Sequence, residues 1–206
     1  MKHANIINPN LGISVVLASD ALVPEEYNIP TLDYKQIPSE NYQNLSLKVF
    51  EIFKIVWKNY GSRYDYFMKA DDDVFIKIEK LSKTFFNTNS DLYDSESIEY
   101  FGYPDPYQKL MCWGGPGYII SRGTLRLIYP YLEFCENEFH YGEDISLYQC
   151  IEYVTKLLNK TSEFKGCQHL HNQSGWNFGN AITVHSLKPG NNITMRDLEE
   201  RYGREN

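Results

Sequence analysis

Tyr64-Asp65-Tyr66-Phe67-Met68-Lys69-Ala70-Asp71-Asp72-Asp73 decides the reading of this chain. Tyr64 to Ala70 is a largely apolar, aromatic run of the kind that forms a buried strand, and three adjacent carboxylates follow at its carboxyl end. At about 5 Å apart, each carboxylate pair costs roughly 1 kcal/mol in water and about 3 kcal/mol at an effective dielectric near 20. A positive partner is needed to offset that repulsion. In an extended segment, side chains two apart share a face, so Asp71 and Asp73 are expected to point together and Asp72 away. Two carboxylates on one face suit a divalent cation that also holds phosphates. From these residues alone the alternative is a solvated acidic turn.

Upstream of that strand, Leu45, Val49, Ile52, Phe53, Val56 and Tyr60 fall at helical spacing, with Gly61 ending the run as a C′ residue. Pro24 to Tyr42 reads as an irregular connection, and Ile13 to Ala18 as a short buried strand. Downstream, a short helix is expected from Ile78 to Phe86 and a strand over Ile98–Gly102, followed by the loop Tyr103-Pro104-Asp105-Pro106. After Gly114-Gly115-Pro116-Gly117 comes the apolar run Tyr118-Ile119-Ile120, and Ser121 is placed to cap a helix carrying Leu125 and Ile128. A second helix is expected from about Asp144 to Leu157, and a last strand over Ala181-Ile182-Thr183-Val184. Strands alternating with helices indicate an α/β sheet with helices on its faces. The stretch 189–206 reads as a polar tail, and 1–206 as one domain.

His185 ends its strand as the aspartates end theirs. If the two strands are near neighbours, the imidazole joins the carboxylates around one ion, and imidazole favours Mn²⁺ over Mg²⁺. His140, His169 and His171 remain rivals by spacing, and a lone histidine is most often a surface or satisfied residue. The Gly-Gly-Pro-Gly run carries neither G-x-G-x-x-G nor a Walker lysine; it means close backbone approach or a tight turn. Glu143-Asp144 sits at a helix start, where carboxylates are favoured by the dipole. The pair reads either as capping or as a general base for a hydroxyl.

Composition narrows the classes. A net charge of −7 with no basic patch argues against nucleic acid as a partner. Seventeen Tyr and 11 Phe exclude a disordered chain, and fit core packing before they fit a sugar-stacking surface. Cys112, Cys135, Cys150 and Cys167 lack zinc-site spacing and permit two disulfides in an oxidising compartment. Sequons at Asn44, Asn159, Asn172 and Asn192 point the same way. No span approaches the ~18–20 apolar residues of a membrane helix, and no signal peptide opens the chain, which reads as a soluble piece.

Taken in order, these segments resemble the Fringe-like family of inverting β1,3-glycosyltransferases, including the core 1 β1,3-galactosyltransferases and the N-terminal half of chondroitin synthases. Tyr66 to Lys77 is similar to that family's metal-binding strand end. Gly114 to Arg122 resembles its donor-site loop, Gly142-Glu143-Asp144 its catalytic-base segment, and Ala181 to His185 its histidine-bearing strand. The resemblance implies a GT-A (Rossmann-like) nucleotide-sugar-binding sheet flanked by helices. It also implies a UDP-sugar donor, a glycan or glycoprotein acceptor, and Mn²⁺ held by Asp71, Asp73 and His185. Asp71, Asp72, Trp113, Gly114 and Gly115 would line the nucleotide-sugar site, and Asp144, with Glu143 beside it, would supply the catalytic base.

The family's Golgi-lumen location, with a type II membrane anchor outside this chain, and a Cys135–Cys150 disulfide follow from the same resemblance. Given that pairing, Cys112 and Cys167 would be left to join each other. Only about a dozen residues precede Ile13, so the strand there resembles the family's second strand and the chain reads as N-terminally truncated. Donor choice divides between galactose, the broader expectation, transferred to an N-acetylgalactosamine-type acceptor, and glucuronate of chondroitin type. A catalytically inactive lectin or chaperone-like relative is the reading from another class.

Overall fold

The computed structural model describes residues 13–16, 18, 31–32, 44–86, 93–169, 182–185 and 196–198. Helix α1 (Leu45–Tyr60) leads into strand β1 (Tyr66–Lys69), then β2 (Phe75–Ile76) and α2 (Ile78–Phe86). Strands β3 (Tyr100–Gly102) and β4 (Tyr118–Ser121) follow, then α3 (Arg122–Ile128), a 3₁₀ turn at Tyr129–Tyr131, α4 (Leu132–Glu138) and α5 (Glu143–Leu157). Strands β5 (Cys167–His169) and β6 (Thr183–Val184) come last.

Four strands form a sheet in the order β1-β4-β3-β5, and β2 pairs with β6 in a separate two-stranded ladder. β1 and β3 each run antiparallel to β4, and only β3 and β5 are parallel. The sheet is therefore small and mixed. Its strands alternate in the period-two pattern that a sheet covered on both faces needs. Phe67, Tyr100, Tyr118 and Ile120 face a core filled from Val49, Phe50 and Phe53 of α1, Leu125 and Ile128 of α3, and Leu147, Ile151 and Val154 of α5. Phe101 and Ile119 face the opposite way, onto Leu81 of α2 and Ile182, with Tyr66, Phe85 and Tyr93 packed around them. In that second cluster Tyr66 and Phe85 lie 4.8 Å apart between ring centroids, and Tyr93 and Phe101 5.4 Å. Tyr100 and Tyr118 are fully buried, so much of the aromatic excess serves packing.

Several expectations hold with shifted ends. β1 is shorter than Tyr64–Ala70, β3 starts at Tyr100 rather than Ile98, and α5 already includes Glu143. Ser121 caps α3 as expected, its hydroxyl accepting from the Thr124 N–H at 3.0 Å. Gly61 does close α1, but in right-handed conformation (φ −55°). A glycine is needed there because a Cβ would meet the Trp57 ring and carbonyl at 2.6 Å.

Residues 13–16 form no strand beyond a single bridge position at Ile13, and Val15 is 37% exposed; the Ser14 hydroxyl accepts from the Tyr64 hydroxyl at 2.6 Å. α4 and β5 escaped the sequence reading. Within the tail read as polar, residues 196–198 are helical and Leu198 is buried. Both disulfides form, Cys112–Cys167 and Cys135–Cys150, with Cα separations of 5.2 and 5.5 Å. They are consistent with an oxidising, secretory environment. No described helix is long and apolar enough to cross a membrane.

Candidate active site

Two registers bring the site together. β2 runs antiparallel to β6 with Phe75 opposite Val184, and the Lys77 N–H donates to the Ile182 carbonyl at 2.9 Å on the same ladder. Continued by one residue, that register sets His185 opposite Val74 and so next to Asp73. The His185 Nε2 lies 3.5 Å from Asp73 Oδ1. Ligand atoms of Asp71, Asp73 and His185 all lie within 4.8 Å of one another.

The aspartates themselves are not extended. They form a turn in which the Asp71 carbonyl accepts from the Val74 N–H at 3.3 Å, so the turn, rather than strand alternation, brings Asp71 and Asp73 together. Asp72, between them, is exposed and is not one of the group.

The second register pairs Lys69 of β1 with Tyr118 of β4. It sets the Gly114–Gly117 turn, closed by the Gly117 N–H donating to the Gly114 carbonyl at 2.9 Å, beside the aspartate turn. Here the glycines have specific reasons. A Cβ on Gly115 would come within 2.6 Å of the His185 ring, and one on Gly114 would collide with the Glu143 carboxylate. Gly117 adopts φ +83°, which L side chains rarely tolerate.

The first turn of α5 docks against this floor. Glu143 is buried, and its carboxylate accepts from Lys69 Nζ at 2.5 Å and from the Tyr118 hydroxyl at 2.7 Å. Burial pushes the Glu143 carboxyl up, with Lys69 and then Tyr118 working against that rise. Burial works to lower Lys69, but Glu143 and Asp71 together outweigh it and hold the ammonium charged. The two directions are compatible, because Lys69 has two carboxylate partners and Glu143, the more buried group, has one cation. Burial followed by the Glu143 charge holds Tyr118 well above its ordinary range, so its hydroxyl donates.

Asp144 is half-buried. One of its oxygens accepts from the Gly114 N–H at 2.9 Å and the other from the Ile145 N–H at 2.8 Å. These bonds fix the carboxylate while leaving each oxygen a further lone pair, the geometry a general base needs. The Trp113 indole N–H donates to the Asp105 carboxylate, and its ring lies 5.4 Å from that of Tyr103. His169, one of the rival histidines, packs against Tyr103 at 5.9 Å. Lys69 and Tyr118 were missed by sequence reasoning. The signal available was a lysine inside an otherwise apolar strand.

Donor chemistry fits a divalent ion. Two carboxylates and an imidazole are a hard, mixed oxygen–nitrogen set suited to a transition ion. Lys69 offsets one negative charge, at 2.8 Å from Asp71, among Asp71, Asp72, Asp73, Glu143 and Asp144, so the site as a whole remains anionic.

An acid–imidazole cluster beside a glycine-rich turn could hold a divalent ion, and sequence comparison finds glycosyltransferases among the proteins this chain resembles. The family model described as Galactosyltransferase matches residues 35–104, which contain the aspartate turn. Chondroitin sulfate synthase 3 is 33% identical over 114 residues in Mus musculus and 35% over 113 residues in Homo sapiens. Chondroitin sulfate glucuronyltransferase of Homo sapiens is 27% identical over 105 residues. Each match covers 50% of this chain and 13% of the relative, so the chain spans a small part of the length of these proteins. The resemblance read in the sequence is thus matched by a galactosyltransferase family model over residues 35–104 and by chondroitin-type relatives over half of the chain.

Proposed function

We propose that the chain is the GT-A-type domain of a Mn²⁺-dependent, inverting β1,3-hexosyltransferase. It uses a UDP-sugar donor and a glycan or glycoprotein acceptor in the Golgi lumen. The observation that carries this reading is the convergence of Asp71, Asp73 and His185 within 4.8 Å of one another, on a floor shared with Asp144 through the Gly114 N–H. Asp71, Asp73 and His185 hold the ion, which when bound supplies Lewis-acid neutralisation of the departing diphosphate. Asp144 takes the proton of the acceptor hydroxyl as that oxygen bonds to the anomeric carbon and the bond to UDP breaks on the opposite face. One carboxylate suffices, because direct displacement needs no enzyme nucleophile. Gly114 orients Asp144, and Gly115 leaves room for the His185 ring.

Galactose is the donor sugar proposed first, with an N-acetylgalactosamine-type acceptor. The lysine beside the site, Lys69, is already engaged by two carboxylates, which suits a neutral sugar over an anionic one. Glucuronate is the second reading, favoured by the names of the chondroitin-type relatives. A panel of UDP-galactose, UDP-glucuronate and UDP-N-acetylglucosamine with defined acceptors separates them. Asp144→Asn tests the base: UDP binding stays unchanged and turnover falls about 10²–10⁴-fold. Turnover retained in that variant would remove Asp144 from the role.

A further inference from the structure

Asn159 stands in the turn that ends α5, one residue past the helix cap Leu158. It is exposed and adopts φ 55°, left-handed, with its N–H donating to the Lys156 carbonyl at 3.1 Å. Asparagine tolerates that conformation better than most residues, and helix termination alone accounts for it. Termination does not account for Thr161, exposed two residues on, which completes an Asn-Lys-Thr sequon. Asn44, the other sequon within the described residues, is half-buried at the start of α1, and its hydroxyl partner Ser46 is 1% exposed inside the helix. Asn172 and Asn192 lie outside the described residues. With both disulfides formed, the fold belongs to a compartment where such sequons meet the glycosylation machinery.

We infer that Asn159 carries an N-linked glycan. Its side-chain nitrogen bonds to C1 of the first N-acetylhexosamine of a lipid-diphosphate-linked oligosaccharide. The bond from C1 to the diphosphate oxygen breaks, the lipid diphosphate leaves with that electron pair, and the amide nitrogen gives up one proton. Leu157 and Leu158, 51% and 39% exposed immediately before the attachment point, are the apolar surface that the sugar shields.

The test is mass mapping of the full chain secreted from eukaryotic cells, after confirming that both disulfides are present. Treatment with peptide N-glycosidase in heavy-oxygen water should convert residue 159 to labelled aspartate. The Thr161→Ala variant, which leaves Asn159 and its backbone conformation in place, should abolish the label there. An unlabelled residue 159 in protein that carries both disulfides would overturn the inference, as would a label that persists in Thr161→Ala. The readout needs no transferase activity, so its outcome is separate from that of the proposed reaction.

Discussion

The Lys69 ammonium lies 2.5 Å from the Glu143 carboxylate and ties the first turn of α5, which carries Asp144, to the strand that ends at the aspartate turn. Both side chains are largely buried, at 16% and 8% exposure, so removing one partner strands a charge in the interior. Lys69→Met is expected to lower stability by about 3–5 kcal/mol. The double variant Lys69→Met with Glu143→Gln recovers most of that loss, because the buried carboxylate is gone and Asp71, which also loses the ammonium, is exposed to water. Urea denaturation of the two variants measures this; equal losses in both would mean that the stranded carboxylate is not the cause.

Gly115 supports the metal group by having no side chain. An added methyl would come within 2.6 Å of the His185 ring, and the imidazole is the part able to move. Gly115→Ala should therefore leave the melting temperature nearly unchanged while weakening Mn²⁺-dependent UDP binding about 10–100-fold, the range seen when support around metal ligands is disturbed. Unaltered UDP affinity in this variant would show that the glycine serves only the turn.

Glu99 supplies a pH dependence away from the metal group. Burial pushes its carboxyl up, with hydrogen bonds from the Tyr66 hydroxyl and the Asp94 N–H opposing that rise. The native state keeps this proton to higher pH than the unfolded chain. Its stabilising contribution is thus present below the ordinary carboxylate range and lost as pH rises through the raised folded value. Glu99→Gln removes that loss, so the variant should gain stability on the parent between pH 4 and pH 7. Denaturation curves at the two pH values decide it; a variant that falls behind over this interval would mean that the ionised form is the favoured one.

Local signals were enough to read α1, α2, α3 and α5 and three strands of the four-stranded sheet, but not α4 or β5. Ser121 capped its helix because its hydroxyl reaches the Thr124 N–H, and α2 begins and ends where the apolar spacing places it. Pairing direction was not legible, since β4 is antiparallel to both of its neighbours and strand direction is set by the connections rather than by side chains. The run at 13–16 shows the opposite failure: β propensity there yields one bridge position at Ile13 rather than a strand. At the site, Asp71, Asp73 and His185 were each readable as strand-end residues, whereas their proximity depends on the Phe75–Val184 register. Lys69 stayed hidden for the same reason, because its partner Glu143 lies 74 residues away in the chain.

Calorimetric titration of UDP, with Mn²⁺ and with chelator, into the parent chain and into His185→Ala tests the metal group most directly. Binding in the parent should require Mn²⁺ and disappear with chelator, and His185→Ala should bind no UDP under either condition. UDP bound equally well in chelator, or by His185→Ala in Mn²⁺, would contradict an ion held jointly by Asp71, Asp73 and His185.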